Sequence, residues 1–377
     1  MADEIMDMRF VFWWSLVSPH QSAYVRELAK RTNVTVVALE DMSAGRRSLG
    51  WRVPDLGSAR VVIRPSESEI KQYLLDDANS VHLLEGWRGC RLSRYVLRNA
   101  RPNARIGVIS ENCDPRGWRG TLRRVRCSVD ARINARRTDF VLAIGSNGVR
   151  WYRECGVIET KIHQFCYVVE PMEAFAAEAG CGRPGGFRIV YLGQFKEQKG
   201  LAVLLRALAS FRELEWQADL IGSGPLESQN RALIRELGLS RQVFMYGAQE
   251  RGTAMAMLAR ADVLVLPSIY DGWGAVVNEA LMLGVPVICT GACGSADLIT
   301  ESWRGTVVRP GSIFELAAAL VDRVRGGPLC ESQRTRIRSW TQAIAGPRVA
   351  AYFSDVIRHV YGGSPRPRPP WTSSMLS

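Results

Sequence analysis

Asp271-Gly-Trp-Gly-Ala-Val-Val-Asn-Glu279-Ala-Leu-Met-Leu-Gly284-Val-Pro286-Val-Ile288 is the stretch on which the reading of this chain turns. An acid opens it, a Gly-x-Gly loop follows, and a second acid stands eight residues on. A short apolar helix and a Gly-x-Pro break then lead into a β-branched strand. Gly272 and Gly274 lack a Cβ, so the backbone there can turn sharply and approach a ligand. The following helix would offer unpaired N–H groups and a positive dipole end, which suits a diphosphate. Glu279 can accept from two neighbouring hydroxyls, as on a ribose. Gly284 caps the helix and Pro286 prevents its continuation. The arrangement fits a nucleoside diphosphate carrying a sugar.

Working outward, Tyr191-Leu-Gly193-Gln194-Phe-Lys196-Glu-Gln-Lys199-Gly200 reads as a strand ending in a loop with cations, and Gly222-Ser-Gly224-Pro225 as a second tight turn. Together with the 271–288 stretch, these residues resemble the retaining, GT-B-fold glycosyltransferases of family 4, the group 1 glycosyltransferases. The resemblance covers residues 187–325 well and implies an α/β fold of two Rossmann-like domains facing across a cleft. It also implies roles. Asp271 and Lys199 would be catalytic, the first contacting the donor sugar and the second the diphosphate. Gly193, Gln194, Tyr246, Gly272, Trp273, Gly274 and Glu279 would complete the donor site, with the segment around Tyr246-Gly247 lying against the nucleotide base. Two departures stand out. The motif opens with Asp271 where most relatives have Glu, and Gln194 stands where the family places an Arg, with Lys196 a nearby cation.

The first half matches less specifically. Ser18-Pro-His20-Gln-Ser22 replaces the Gly-Gly loop that many relatives carry after their first strand. Its helix N-terminus and the Ser18 or Ser22 hydroxyls could still meet an anion. His20, Glu85 and Glu111 fall at strand ends and are the acceptor-side candidates, whereas His82 sits inside an apolar strand and reads as a core histidine. The resemblance implies a nucleotide-sugar donor as substrate, no metal or other cofactor, and a glycan acceptor, lipid-linked in a bacterial surface polysaccharide. An epimerase of the same fold and a non-catalytic sugar-nucleotide scaffold are the competing readings.

A length of 377 residues suggests two domains, and 47% hydrophobic with 23% charged residues supplies material for two cores. Strand-like runs at 9–14, 34–39, 61–63, 81–84, 105–109 and 140–144 alternate with helical segments, and the pattern restarts at 187–193, 218–221, 243–247, 262–267 and 287–290. Such alternation predicts parallel sheets covered on both faces. The expected division is an N-terminal domain over 1–170, a linker over 171–186, a nucleotide-sugar domain over 187–345, a terminal helix over 346–362, and a disordered Pro/Arg tail over 363–377. The nine cysteines form no CxxC pair, which favours reduced thiols and a cytoplasmic setting over a disulfide framework or a zinc site. The apolar run 10–17 follows acids and reads as a first strand, not a signal peptide. Net charge is +12, and eight arginines against one acid fall within 116–137, interleaved with Trp118, Leu122, Val125, Val129 and Ile133. On a helix this is a basic amphipathic segment, suited to an anionic membrane surface on the cytoplasmic side or to a solvated basic face. No nucleic-acid module accompanies it, and no nucleic-acid partner is expected.

Overall fold

Parallel strands buried on both faces account for the long Val/Ile/Leu-rich runs, and the computed structural model places them in two separate sheets. It describes residues 8–47, 52–75, 79–172 and 186–372. The chain divides into two compact units, one formed by residues up to Glu170 together with Ala343–Trp371, the other by Pro171–Gln342. Most of the expected linker, 173–185, lies outside the described residues.

In the first unit, strands β1 (Arg9–Leu16), β2 (Asn33–Glu40), β3 (Arg60–Ile63), β4 (Ser80–Glu85), β5 (Arg105–Ser110), β6 (Phe140–Ile144) and β7 (Ile162–Phe165) form one parallel sheet in the order β3-β2-β1-β4-β5-β6-β7. Helices α1 (Ser22–Ala29), α2 (Ala44–Arg47), α3 (Glu67–Leu75), α4 (Arg91–Asn99), α5 (Gly117–Asn134) and α6 (Gly145–Glu154) connect them. Strand β7 was not anticipated, because Ile162-His-Gln-Phe is short and half polar. His82 is in the core as expected, accepting at Nδ1 from the Trp13 indole at 3.3 Å. Burial pushes its pKa down to about 4, so it is neutral at physiological pH.

The second unit carries β8 (Phe187–Leu192), β9 (Trp216–Ile221), β10 (Val243–Gly247), β11 (Val263–Leu266), β12 (Val287–Thr290) and β13 (Gly305–Val308), ordered β10-β9-β8-β11-β12-β13 and again all parallel. Its helices are α7 (Leu201–Ala209), α8 (Glu227–Glu236), α9 (Arg251–Ala259), α10 (Val276–Met282), α11 (Ile313–Gly326) and α12 (Glu331–Trp340). Tyr191, Phe195, Leu204, Trp216, Leu220 and Ile288 fill its core.

Helix α13 (Gly346–Gly362) leaves the second unit's stretch of sequence and completes the first, where Phe353 packs on Phe10, Phe12 and Tyr24. The expectation of a disordered tail from 363 is corrected as far as Thr372. Arg366 donates to the Ile162 and Glu159 carbonyls, and Trp371 is fully buried against Phe165 and Tyr352. Low-complexity Pro/Arg composition hid a single large aromatic that finds a socket. Trp371→Ala should therefore lower stability by about 3–5 kcal/mol, read from urea unfolding; a loss below about 0.5 kcal/mol would show the socket to be dispensable.

Candidate active site

In open α/β sheets a ligand crevice forms where the strand order reverses, outside the carboxyl ends of the strands. In the second unit that reversal lies at β8, flanked by β9 and β11. The loop after β8 carries Gly193, Gln194 and Lys199, and the loop after β11 carries Asp271, Gly272 and Gly274. These are the residues that the sequence singled out. Gly200 takes φ 66°, and a Cβ there would stand 2.1 Å from the Pro267 carbonyl oxygen, so only glycine lets the two loops touch. Backbone N–H groups of Ile269 and Tyr270 donate to the Gln198 carbonyl at 2.8 and 3.2 Å, fixing the register of one loop on the other.

That register brings Lys199 Nζ to 2.5 Å from Asp271 Oδ2, with both side chains largely buried. Asp271 is further held by its own N–H, which donates to Ala292 O, and by Gly294 N–H, which donates to its carbonyl. Gly274 adopts φ 89°, and a side chain there would strike Leu266 and stand 3.1 Å from Ser295 Oγ. The Ser295 hydroxyl is buried beside this loop with no hydrogen-bond partner. The Gly222-Ser-Gly224-Pro turn acts as expected on shape: Ser223 O accepts from Phe195 N–H at 2.9 Å, clasping the Gly193–Phe195 loop. Burial and then Asp271 push the Cys293 thiol up to about 12, which removes it as a nucleophile.

Glu279 sits in the first turn of α10, buried, and accepts from Arg251 Nη1 at 2.9 Å. Burial raises its pKa, while the Arg251 charge and hydrogen bond act in the opposite direction. Arg251, from the start of α9, was not foreseen: its partner is 28 residues away and nothing in the local sequence marks it. Three expected donor residues need qualification. Trp273 is only 1% exposed and donates its indole N–H to Asn278 Oδ1 at 2.8 Å, so its ring braces the loop instead of facing a ligand. Gln194 is exposed, and its carbonyl accepts from the Tyr191 hydroxyl at 2.8 Å. Tyr246 lies at the end of β10, half exposed, two strands away from β8. Helix α10 spans seven residues and has no side-chain cap, so any dipole contribution is that of a short helix.

In the first unit the strand order reverses at β1, between β2 and β4. A cavity of about 190 Å³ opens there, lined by Trp14, Ser18, Glu85, Ser110, Glu111 and Tyr167 among others. Two of the three acceptor-side candidates share it. Glu85 is fixed by the Ser15 N–H, which donates to Oε2 at 2.6 Å. His20 does not line it but stacks on Tyr167, which does, with ring centroids 5.6 Å apart. Ser22, suggested as an anion donor, is fully buried and gives its hydroxyl to Glu170 at 2.7 Å, which removes it from that role.

Comparison with known proteins bears on the fold and on the second unit's sequence. Residues 183–340 match the family model described as Glycosyl transferases group 1. An uncharacterized glycosyltransferase of Methanocaldococcus jannaschii is 32% identical over 138 residues, which is 36% of this chain and 35% of that protein. The match thus spans about a third of that relative's length. The solved structure of a lipopolysaccharide outer core galactosyltransferase superposes with a TM-score of 0.69 at 17% identity, covering 93% of this chain and 99% of the other. An Anabaena protein solved in complex with UDP gives a TM-score of 0.69 at 15% identity, covering 93% of this chain and all of the other. The fold is that of the GT-B glycosyltransferases, built from two Rossmann-like α/β units. The residues that match the group 1 model, 183–340, fall within the second unit.

The Arg251–Glu279 pair makes a pH-dependent expectation. A carboxyl whose folded pKa is raised above its unfolded value stabilises the fold below that unfolded value, and the contribution is lost as pH rises through the folded pKa. Arg251→Met removes the charge that opposes the rise, leaving Glu279 to ionise unpaired. The variant should thus be destabilised by about 3 kcal/mol near neutral pH and by distinctly less at pH 4.5. Urea midpoints at the two pH values check this, and equal losses at both would remove the electrostatic account.

Proposed function

We propose that this chain transfers a sugar from a nucleoside-diphosphate donor to a glycan acceptor, with retention at the anomeric carbon. The observation that carries the reading is a pair of largely buried ion pairs, Lys199–Asp271 and Arg251–Glu279, each containing an acid of the 271–279 signature. A fixed cation beside a fixed acid at a strand-order reversal suits a ligand with one end anionic and the other hydroxylic. The donor diphosphate draws Lys199 away from Asp271, and Asp271, so released, accepts from a donor sugar hydroxyl. Glu279 accepts from the ribose hydroxyls while Arg251 opposes the rise that burial imposes on its carboxyl. The bond from the anomeric carbon to the diphosphate oxygen breaks, and the acceptor oxygen bonds to the same face of that carbon. Its proton passes to the departing phosphate. Lys199 offsets the charge that gathers on the leaving group, the largest electrostatic task of the step. No metal is assigned a part in it.

The acceptor is read as a glycan on a lipid carrier, in the synthesis of a bacterial surface polysaccharide at the inner face of the membrane. Support comes from the named role of the outer core galactosyltransferase that shares the fold and from the basic segment 116–137. No described helix is long and apolar enough to cross a membrane. The cavity at Glu85 and Glu111 is the proposed acceptor pocket.

The first experiment is a thermal-shift panel of UDP-, GDP-, ADP- and TDP-sugars, with UDP-glucose foremost because a structure sharing the fold holds UDP. One donor should raise Tm, and Glu279→Gln should weaken that donor about tenfold, or about 1.4 kcal/mol. Unchanged affinity in the variant would sink the ribose assignment, and no response to any donor would sink the transferase reading. Turnover with the matching donor should also survive excess EDTA. A collapse restored by Mg²⁺ would transfer the leaving-group role from Lys199 to a cation.

A further inference from the structure

Helix α5 is the one place where the described surface gathers large apolar side chains in a line. Trp118, Leu122, Val125, Val129 and Ile133 are 42% to 71% exposed. Their spacing of four, three, four and four residues places all five on one stripe of the helix. The opposite side is the packed one, with Gly120 and Ala131 buried. Arg124 anchors the helix to α6, pairing with Glu154 at 3.3 Å and lying over the Trp151 ring. The apolar stripe is thus a face presented outward by a well-held helix, about 27 Å long at 1.5 Å per residue.

Charge frames that face. Arg119, Arg126 and Arg132 are exposed along its margins, and Arg136 is exposed just past the helix end. No carboxylate is paired with Arg126, Arg132 or Arg136 among the described residues. The helix's single acid, Asp130, is turned inward, where Arg88 donates to both of its oxygens at 2.7 Å. The helix carries no other acid, and Asp114, just before it, is paired with Arg116 at 2.7 Å. We infer that α5 is a lipid-docking helix that lies in the plane of an anionic bilayer surface, with the five apolar side chains entering the headgroup boundary and the marginal arginines meeting lipid phosphates.

The observations favour this occupant over others. A second copy of the chain would bring the same arginines against these, with no acid on either face to compensate. Nucleic acid would use the charge but leave a stripe from Trp118 to Ile133 exposed. A bilayer interface satisfies both features at once, because apolar residues partition into it while arginine stems extend and place their heads at the phosphates. The inference does not depend on the proposed chemistry, since α5 belongs to the first unit and the donor-site candidates to the second.

Vesicle co-sedimentation tests it on the full chain, with phosphatidylglycerol/phosphatidylcholine vesicles against phosphatidylcholine alone. Wild type should sediment with the anionic vesicles and far less with the neutral ones. Arg126→Gln/Arg132→Gln/Arg136→Gln should reduce partitioning about a hundredfold, on the order of the surface attraction of three arginines. Leu122→Ser/Val125→Ser should also reduce it strongly with the net charge unchanged. Both variants should keep the wild-type unfolding midpoint, as exposed substitutions do. The inference falls if wild type ignores anionic vesicles or if the serine variant binds them as wild type does. It also falls if sedimentation velocity shows a dimer that the serine variant abolishes, which would give the face to a second copy. Equally tight binding of polyglutamate to wild type and serine variant would assign the charge to an acidic protein partner and overturn it likewise. Donor-induced thermal shifts on the same proteins keep the two readings apart: their absence would fail the transferase proposal and leave the vesicle result standing.

Discussion

A lysine and an aspartate separated by 72 positions share a hydrogen bond of 2.5 Å, and the second unit is arranged around making that contact. Lys199 and Asp271 come from loops after two strands that neighbour one another only because the sheet order reverses at β8. Parallel strands send every such loop to the same edge, so consecutive crossovers on opposite sides leave a gap there. Gly200 lets the loops meet, and the Gln198 carbonyl locks them by accepting two N–H groups from the other side. Displacing either loop by a residue would separate two largely buried opposite charges, a strongly unfavourable arrangement.

The second acid follows the same logic at greater burial. Glu279 is held inside the unit and would be disfavoured as an anion without Arg251 beside it. The pairing presents an oriented carboxylate, and it also makes the site a source of pH-dependent stability. Neighbouring groups are tuned toward inertness. Cys293 and Tyr191 both hold their protons through burial reinforced by Asp271. Such selectivity favours stabilising charge on a substrate over nucleophilic attack by the protein.

The strand-end placement of Gly193, Lys199, Asp271, Gly272 and Gly274 was legible because turn glycines and strand-end polar residues carry their geometry within a few positions of sequence. Trp273 was not, since a tryptophan in a glycine loop reads equally as a ligand platform or as a brace, and only its burial and its bond to Asn278 decide for the brace. Arg251 was invisible for a different reason. An arginine at a helix start is usually solvated, and the acid that claims it comes from another helix. Trp371 was concealed by composition, its Pro/Arg surroundings lacking any periodic pattern, while the socket made by Phe165 and Tyr352 is assembled from two distant segments.

The sequence by itself determined the local matters: alternating strands and helices, hence parallel sheets; a glycine loop between two acids, hence a polar strand end; and a basic helix with an apolar stripe. Each of these depends on spacing of two to eight residues, within which backbone geometry is nearly fixed. Tertiary structure alone decided which groups meet. It paired Lys199 with Asp271 and Arg251 with Glu279, assigned α13 and Trp371 to the first unit, and turned Asp130 inward while leaving the stripe of α5 bare. These outcomes rest on strand order and burial, which link residues tens to hundreds of positions apart, and no local pattern encodes them.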